Sequence, residues 1–285
     1  KIPLYKYINH LYEKITQIKV QPKLPTPMMV MICGGKHVLD QPSRFFKKES
    51  EVGNNLCIQE FSLIGKLEDG IKVWHTLEEI IKENNLTATL GLEGAFSLRL
   101  LYDEDAIMLI EEAVKANNLR LGDEVNLALD VAGNHCQMTN AEIVELFQRY
   151  HIFSIEDPFG EDNWEKFGQL KLELEEMNKP FLLIGDDLFA THKKLLKKGI
   201  NQQVANSIII KVNQVGTLTE VLEVMGIAHN ADYTTVVSHR SGETNDTFIS
   251  DLAVGAAAEF LKAGAPIPNE RLLKYKRLKE IEQEL

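Results

Sequence analysis

The chain has 285 residues, which suits one large domain or two small ones. Hydrophobic residues make up 44% of it and charged residues 26%, as in an ordinary globular protein, and the formal net charge is -11. The acidic balance argues against a nucleic-acid partner, and no apolar run has the length of a membrane span.

Residues 1–24 are predicted to be the end of an N-terminal region followed by a linker. A partial helical stripe of apolar residues ends at Ile18, and a series of prolines beginning at Pro22 breaks the pattern. Because the chain begins with Lys1 and not with methionine, we expect a further segment upstream. Residues 25–285 then form the main domain.

Strand-like apolar runs alternate with helical patterns along the main domain, and from the fourth run onward they recur roughly every 25 to 30 residues. The runs cover residues 28–34, 57–64, 87–93, 125–130, 152–157, 181–187, 207–210 and 233–239. Regular alternation favours a parallel sheet, and eight strands favour closure into a (β/α)8 barrel. A doubly wound open sheet is the alternative, but no GxGxxG or P-loop pattern supports it.

Polar residues follow successive strands, at Glu93, Asp130, Glu156, Asp186, Lys211 and His239. In a barrel of this type these strand ends meet at one mouth, where active sites lie. The carboxylates of Asp130, Glu156 and Asp186 would repel one another, and oxygen ligands without Cys or His favour Mg²⁺. Asp157 and Asp187 are alternative ligands, but the first acid of each pair is in register with Asp130.

Lys211 ends a strand whose isoleucines predict burial on both faces. Burial, and a metal ion nearby, would lower the pKa of this lysine and make it a base. Together with Mg²⁺ it would remove a proton next to a carboxylate. The alternative is a structural lysine that is solvated or paired with a carboxylate.

Three cysteines, Cys33, Cys57 and Cys136, are scattered without CxxC spacing. We therefore expect neither a zinc site nor a disulfide framework. The pattern favours a reducing compartment, and we expect a cytoplasmic protein.

Several strings of residues resemble the enolases, from about residue 24 to the end of the chain. They are Ser154-Ile-Glu-Asp-Pro-Phe159, Gly185-Asp-Asp-Leu188, the run from Ala205 to Leu218, Ser238-His-Arg-Ser-Gly-Glu-Thr244, and, in the tail, Lys262-Ala-Gly-Ala-Pro, Asn269-Glu-Arg271 and Glu280-Ile-Glu-Gln-Glu-Leu285. The resemblance implies an enolase-type (β/α)8 barrel that dehydrates 2-phosphoglycerate to phosphoenolpyruvate in glycolysis and gluconeogenesis. It also implies two Mg²⁺ ions per site and a homodimer.

The resemblance further implies a role for each site residue. Lys211 would remove the C2 proton, and Glu93, with Glu60 beside it, would protonate the departing C3 hydroxyl. The first Mg²⁺ would be held by Asp130, Glu156 and Asp186. Substrate contacts would come from His37, Gln59, Ser238, His239, Arg240, Ser241 and Lys262. Among these, Arg240 and Ser241 would grip the phosphate, since a planar guanidinium suits it.

The chain also departs from the family pattern. The usual Gly-Asp-Glu-Gly-Gly-Phe is Gly91-Leu-Glu-Gly-Ala-Phe96, so a carboxylate is lost at Leu92 and Ala95 stiffens a glycine loop. The bulky Lys36 replaces a serine next to His37, and the span from there to the second strand is longer than usual. Enolases also carry an N-terminal α+β domain that supplies a loop closing the site, and we expect this sequence to begin after that domain.

These departures leave two alternatives to an active enolase. One is a catalytically impaired homologue that acts as a binding or structural protein. The other is a proton-abstracting enzyme of the same superfamily with a different acid substrate, although the phosphate-type Ser-His-Arg-Ser string argues against it.

Overall fold

The structure is a computed structural model that describes residues 2–34, 56–91, 93–136 and 138–285. Within these ranges the helices are α1 (Leu4–Thr16), α2 (Leu67–Glu83), α3 (Asp103–Ala116), α4 (Asn140–Arg149), α5 (Trp164–Glu176), α6 (Lys193–Gln202), α7 (Val212–Val215), α8 (Leu218–His229), α9 (Phe248–Gly255) and α10 (Asn269–Glu282). The strands are β1 (Thr26–Cys33), β2 (Glu60–Ile64), β3 (Ala88–Leu90), β4 (Phe96–Leu98), β5 (Asn126–Asp130), β6 (Ile152–Glu156), β7 (Leu182–Gly185), β8 (Ser207–Ile210), β9 (Thr234–Ser238) and β10 (Phe260–Lys262).

Eight of these strands close into a barrel, which confirms the predicted fold class. The order around the barrel is β1-β2-β5-β6-β7-β8-β9-β10, and β10 pairs with β1 to complete the ring. The helices pack outside, and one large apolar cluster lies between them and the strands. The barrel therefore has the layered architecture that alternating strands and helices predict.

The prediction of an entirely parallel barrel is wrong for one strand. β2 runs antiparallel to both of its neighbours, β1 and β5. Its first residue, Glu60, consequently pairs with Cys33 at the end of β1 and with Asp130 at the end of β5. The reversed direction brings the start of β2, and with it the carboxylate of Glu60, to the barrel mouth.

One member of the predicted set of eight strands is also wrong. The run 87–93 contributes β3, which forms an antiparallel hairpin with β4 outside the ring, and β4 in turn extends the sheet beside the end of β1. The eighth barrel strand is β10, which has only three residues. A run this short shows no hydrophobic periodicity, so the sequence pattern did not indicate it.

Below the mouth, apolar side chains fill the interior of the barrel. Side chains alternate along a strand, so every second residue faces the inside. The interior cluster consists of Met28, Ile64, Ala128, Leu182, Ile184, Ile209 and Val236. Asp130 follows Ala128 by two residues, and Lys211 follows Ile209 in the same way. The strand faces that fill the barrel with apolar groups therefore end in charged groups at the mouth.

Helix α1 packs on the outside of the barrel against α8 and α9. Tyr5, Ile8 and Tyr12 of α1 are fully buried in this contact. The close approach depends on Gly255 at the end of α9, because a Cβ there would lie 2.5 Å from the carbonyl oxygen of Tyr5. The domain boundary at residue 24 remains a prediction.

Two cysteines form a disulfide, whereas their spacing led us to expect no disulfide framework. Cys57, in the segment that leads into β2, is bonded to Cys136 in the loop after β5, while Cys33 is free and buried. The carboxylate of Asp103 also holds this segment, since it accepts the backbone N–H of Ile58 at 2.9 Å. The two cysteines are 79 residues apart, and sequence spacing does not reveal pairs that only barrel closure brings together.

The helices that the structure describes are all too short or too polar to cross a lipid bilayer.

A half-buried histidine joins α1 to the barrel. The hydroxyl of Tyr12 lies 2.6 Å from Nδ1 of His229, and Nε2 of the same ring lies 3.3 Å from the hydroxyl of Thr235. Burial raises the pKa of Tyr12 to about 12, so its hydroxyl stays a donor. Burial also lowers the pKa of His229, and an imidazole that accepts from Tyr12 at Nδ1 has no place for a second proton.

We predict that the free energy of unfolding decreases as the pH falls below the ordinary histidine value of about 6.5. The folded pKa of His229 lies below the unfolded one, so its contribution is complete above that value and is lost as the pH falls toward the folded pKa. The loss is at most about 1.4 kcal/mol per pH unit for one group.

Urea denaturation at a series of pH values tests this prediction. His229→Gln should flatten the pH dependence, while His10→Gln, at an exposed position of α1, should leave it unchanged. An equally steep dependence in both variants would contradict the assignment.

We predict that thiol titration of the unfolded chain detects one free thiol before reduction and three after it. Reduction should lower the free energy of unfolding by roughly 2–4 kcal/mol, because it releases a long closed loop in the unfolded chain. The variant with Cys57→Ser and Cys136→Ser should already have the lower stability and should not respond to reductant. Three free thiols in the untreated chain would contradict the pairing.

Candidate active site at the barrel mouth

Polar side chains stand at the mouth end of nearly every barrel strand. In order around the ring they are Glu60 on β2, Asp130 on β5, Glu156 on β6, Asp186 after β7, Lys211 after β8, Ser238 and His239 at the end of β9 and Lys262 on β10. Carboxylates occupy β2 and β5 to β7, and cationic or neutral groups occupy β8 to β10. The mouth is therefore divided into an acidic and a basic half.

Lys262 reaches from the basic half into the acidic one. Its Nζ lies 3.0 Å from Oε2 of Glu60, 3.0 Å from Oδ2 of Asp130 and 2.7 Å from Oε2 of Glu156, and its side chain is only 6% exposed. Burial by itself lowers the pKa of Lys262, but Asp130, Glu156 and Glu60 outweigh burial and raise this pKa well above its usual value. The ammonium is a fixed positive charge at the centre of three carboxylates.

Lys211 forms an ion pair with Oδ2 of Asp186 on the neighbouring strand. Its backbone N–H donates to the hydroxyl of Thr191 at 2.9 Å, which holds the end of β8. Burial lowers the pKa of Lys211, as expected, but the carboxylates of Asp186 and Glu156 outweigh burial and leave the pKa raised. In this arrangement Lys211 therefore retains its proton.

Several acids of the mouth are placed to hold a cation. Among the described residues, ligand atoms of Asp157, Asp186 and Asp187 lie within 4.8 Å of one another. Asp157 uses both oxygens to accept the backbone N–H groups of Asp186 and Asp187, at 3.0 and 2.6 Å, so it also fixes the turn after β7. Oδ1 of Asp186 is buried and has no hydrogen-bond partner. Asp186 belongs both to this cluster and to the set predicted from the sequence, with Asp130 and Glu156.

The acidic half carries more negative charge than its lysines neutralise. Burial, and then the charge of Asp130, raise the pKa of Glu156 well above its usual range, although Lys262 opposes this. Burial and the charge of Asp186 raise the pKa of Asp157 in the same way. Asp130 has a lowered pKa, since Lys262 outweighs its burial. An oxygen-lined site with uncompensated carboxylates and an unpartnered buried oxygen fits a hard divalent cation.

Glu93 is held by a tight loop between β3 and β4. Its backbone carbonyl accepts the N–H of Ala265 at 2.9 Å, and the carbonyl of Gly94 accepts Nε1–H of Trp74 at 3.3 Å. Gly94 has φ 78°, and a Cβ there would lie 2.0 Å from Cγ of Pro268, so only glycine fits.

Ala95, which stands where the family pattern has a glycine, is accommodated in this loop. Ala95 is fully buried and does not have a positive φ, so the expected stiffening at this position has no steric basis. Leu92 lies outside the described residues.

His239 connects Glu93 to the loop after β9. Its Nε2 lies 3.5 Å from Oε2 of Glu93, and its Nδ1 faces Nη1 of Arg271 on α10. Burial, and then the positive charge of Arg271, lower the pKa of His239 well below its usual value. Sequence reasoning missed Arg271 as part of the site. The Asn269-Glu-Arg271 string of the tail was the only signal for it, and a string does not show which loop an arginine reaches.

A small cavity of about 190 Å³ lies between these groups. It brings together nearly all of the site residues predicted from the sequence, namely Gln59, Glu60, Glu93, Asp130, Asp186, Lys211, Ser238, His239, Arg240, Ser241 and Lys262. Glu156 does not line the cavity, but its carboxylate forms an ion pair with Lys262, which does. His135 lines it but was not predicted, and His37 lies outside the described residues.

Comparison with protein families identifies the barrel. The family model described as "Enolase, C-terminal TIM barrel domain" matches residues 21–143 and 134–285. Every residue of the mouth ring falls within the matched ranges.

We predict that Lys262→Met lowers the free energy of unfolding by about 3–5 kcal/mol in the absence of divalent cations, because it leaves three buried carboxylates without their shared cation. Urea denaturation in the presence of a chelator measures the loss. Added Mg²⁺ should recover part of it, since the cation can take over the neutralisation.

Lys23→Met is the matched control. Lys23 forms a partly exposed ion pair with Glu259, and its removal should cost less than about 1 kcal/mol. Equal losses in the two variants would contradict a special role for Lys262.

Proposed function

Since this chain belongs to the enolase C-terminal barrel family, we propose that it is a Mg²⁺-dependent lyase that dehydrates 2-phosphoglycerate to phosphoenolpyruvate. The observation that supports this reaction best is the divided mouth. Several of its carboxylates, Lys211 on the strand next to them and the buried Glu93 on the other side all line one small cavity. Such a site can hold an anionic substrate next to a base and an acid at once.

The metal would be held by Asp130, Glu156 and Asp186. Asp157 and Asp187, whose ligand atoms cluster with those of Asp186, are the alternative oxygens. When bound, Mg²⁺ supplies Lewis-acid stabilisation of the negative charge that forms on the substrate carboxylate. A second Mg²⁺ per site is a prediction from the family resemblance.

Lys211 is the proposed base for the C2 proton. Its Nζ projects into the cavity from β8 and is held in place by Asp186. If Asp186 bound a metal ion, its attraction for the proton of Lys211 would weaken. Burial, which is the largest single influence on Lys211 and lowers its pKa, then favours the neutral amine.

Glu93 is the proposed acid that protonates the departing C3 hydroxyl. It is buried and lies three strands away from Lys211 around the ring, beside β1. Glu60 lines the same cavity, and burial together with the charges of both glutamates raises the pKa of the Cys33 thiol to about 12. A base and an acid on separate sides of the cavity suit the removal of a proton and a hydroxyl from adjacent carbons.

The phosphate is proposed to bind at the rim, on Arg240 and Ser241. Both are exposed, and within the described residues the guanidinium of Arg240 has no ion-pair partner. Its backbone N–H is fixed by Glu243 at 3.1 Å. Lys262 is proposed to contact the substrate carboxylate from the floor of the cavity.

We also propose a homodimer in the cytoplasm, where the disulfide would have to resist reduction.

Incubation of the chain with Mg²⁺ and 2-phosphoglycerate tests the proposal, with phosphoenolpyruvate followed by its ultraviolet absorbance. Binding of phosphoenolpyruvate without turnover would favour the catalytically impaired homologue instead. Neither binding nor turnover, beside an active enolase as positive control, would overturn the proposed reaction.

We predict that Lys211→Ala abolishes exchange of the C2 proton with deuterated solvent while the affinity for Mg²⁺ stays largely intact, because the lysine is the base and not a ligand. NMR measures the exchange, and calorimetry measures the affinity. Lys193→Ala, at a lysine of α6 that pairs with Glu223, should change neither. Persistent exchange in the Lys211→Ala variant would show that another group is the base.

A further inference from the structure

We propose that Arg271 is a positioning residue that fixes the ring of His239 with its proton on Nε2, directed toward Glu93. The role in catalysis rests on the proposed function, but the state of the ring does not. The inference depends on contacts between α10, the loop after β9 and the loop before β4.

The chemistry of the two side chains determines which nitrogen carries the proton. A guanidinium has only donors and remains charged in proteins, so an atom that faces its N–H must be an acceptor. Nη1 of Arg271 faces Nδ1 of His239. Nδ1 therefore carries no proton, and the single proton of the neutral ring lies on Nε2. A second proton on the ring would place two donors and two positive charges against each other.

The opposite edge of the ring faces the proposed acid. Nε2 of His239 lies 3.5 Å from Oε2 of Glu93, and both side chains are almost fully buried. An Nε2–H at this position can donate to the Glu93 carboxylate and hold it in one orientation. With the other tautomer, the lone pair of Nε2 would face a carboxylate oxygen and repel it. The proton position therefore controls how Glu93 points into the cavity.

The guanidinium is itself held too firmly to turn away. Arg271 is 1% exposed, Nη1 donates to the carbonyl of Arg240 at 2.8 Å, and Nη2 donates to the carbonyl of Ser241 at 2.7 Å. These carbonyls belong to the loop that continues from His239, so one side chain fixes both the loop and the ring.

Lys274 holds the same loop from the next turn of α10 without touching His239. Its Nζ donates to the carbonyl of Thr244 at 2.7 Å and lies 2.9 Å from Oε2 of Glu243. Lys274 therefore provides a matched control, because its removal loosens the loop but leaves the contact between Arg271 and His239 in place.

The first test is NMR of the chain labelled with ¹⁵N in its histidines, with the His239 signal assigned by its loss in His239→Gln. We expect a proton on Nε2 and an unprotonated Nδ1 at neutral pH. In Arg271→Met the ring should become a mixture of tautomers or move to the Nδ1–H form. Arg271→Lys, which keeps a cationic donor, should recover the original signal at least in part, and Lys274→Met should leave it unchanged.

The second test is kinetic and uses dehydration of 2-phosphoglycerate. Arg271→Met should lower kcat roughly 10- to 100-fold, because a misplaced catalytic group is costly. It should also raise KM, because Arg271 holds the loop that carries Arg240 and Ser241. Arg271→Lys should recover part of kcat. Lys274→Met should raise KM and leave kcat less affected, since its loop carries Arg240 and Ser241.

The outcomes distinguish this inference from the proposed reaction. If the wild-type spectrum shows a proton on Nδ1, or if Arg271→Met leaves the His239 signals unchanged, the inference is wrong whatever the activity. If Arg271→Met does not fold, the wild-type spectrum still decides. If the spectra agree but no phosphoenolpyruvate forms, the proposed reaction fails and the ring assignment stands.

Discussion

The barrel mouth depends on one buried ammonium. Lys262 projects from the three-residue strand β10 and contacts carboxylates of β2, β5 and β6, so a single charge joins strands from across the barrel. Bringing buried acids together is costly unless a cation and hydrogen bonds compensate them. The compensation is incomplete. Burial and the neighbouring acids Asp130 and Asp186 raise the pKa values of Glu156 and Asp157 well above their usual range. A further cation would relieve the repulsion among the acids that remain.

The two halves of the mouth are built differently. The acids stand on strands of the closed ring, where paired backbones and the apolar interior hold them. Glu93 and the residues after Ser238 stand on loops, and other elements must hold these. Trp74 and Ala265 hold the first loop, and α10 holds the second through Arg271 and Lys274. A helix far along the chain thus determines the geometry of the groups proposed to bind the phosphate and to supply the proton.

Much of this arrangement could be predicted from the sequence, because strand ends and the strings that resemble enolase are local features. The predicted acids and lysines meet at one mouth. The misses have a common cause, since each concerns pairing between distant segments. The direction of β2, the strand nature of β10 and the disulfide between Cys57 and Cys136 all follow from ring closure. Ala95 is tolerated because the positive φ of the loop falls one residue earlier, at Gly94.

By itself, the sequence determined the fold class, the family and the chemical character of the mouth, since these depend on residue types at strand spacing. The tertiary structure decided which charges pair. The strand of Lys211 predicts a buried lysine with a lowered pKa, but the neighbouring strand places Asp186 against it, and the pKa is raised. Lys262 likewise became the central cation, and Arg271 became the partner of His239. Coulomb interactions depend on distances across the barrel, and only the closed ring of strands sets those distances.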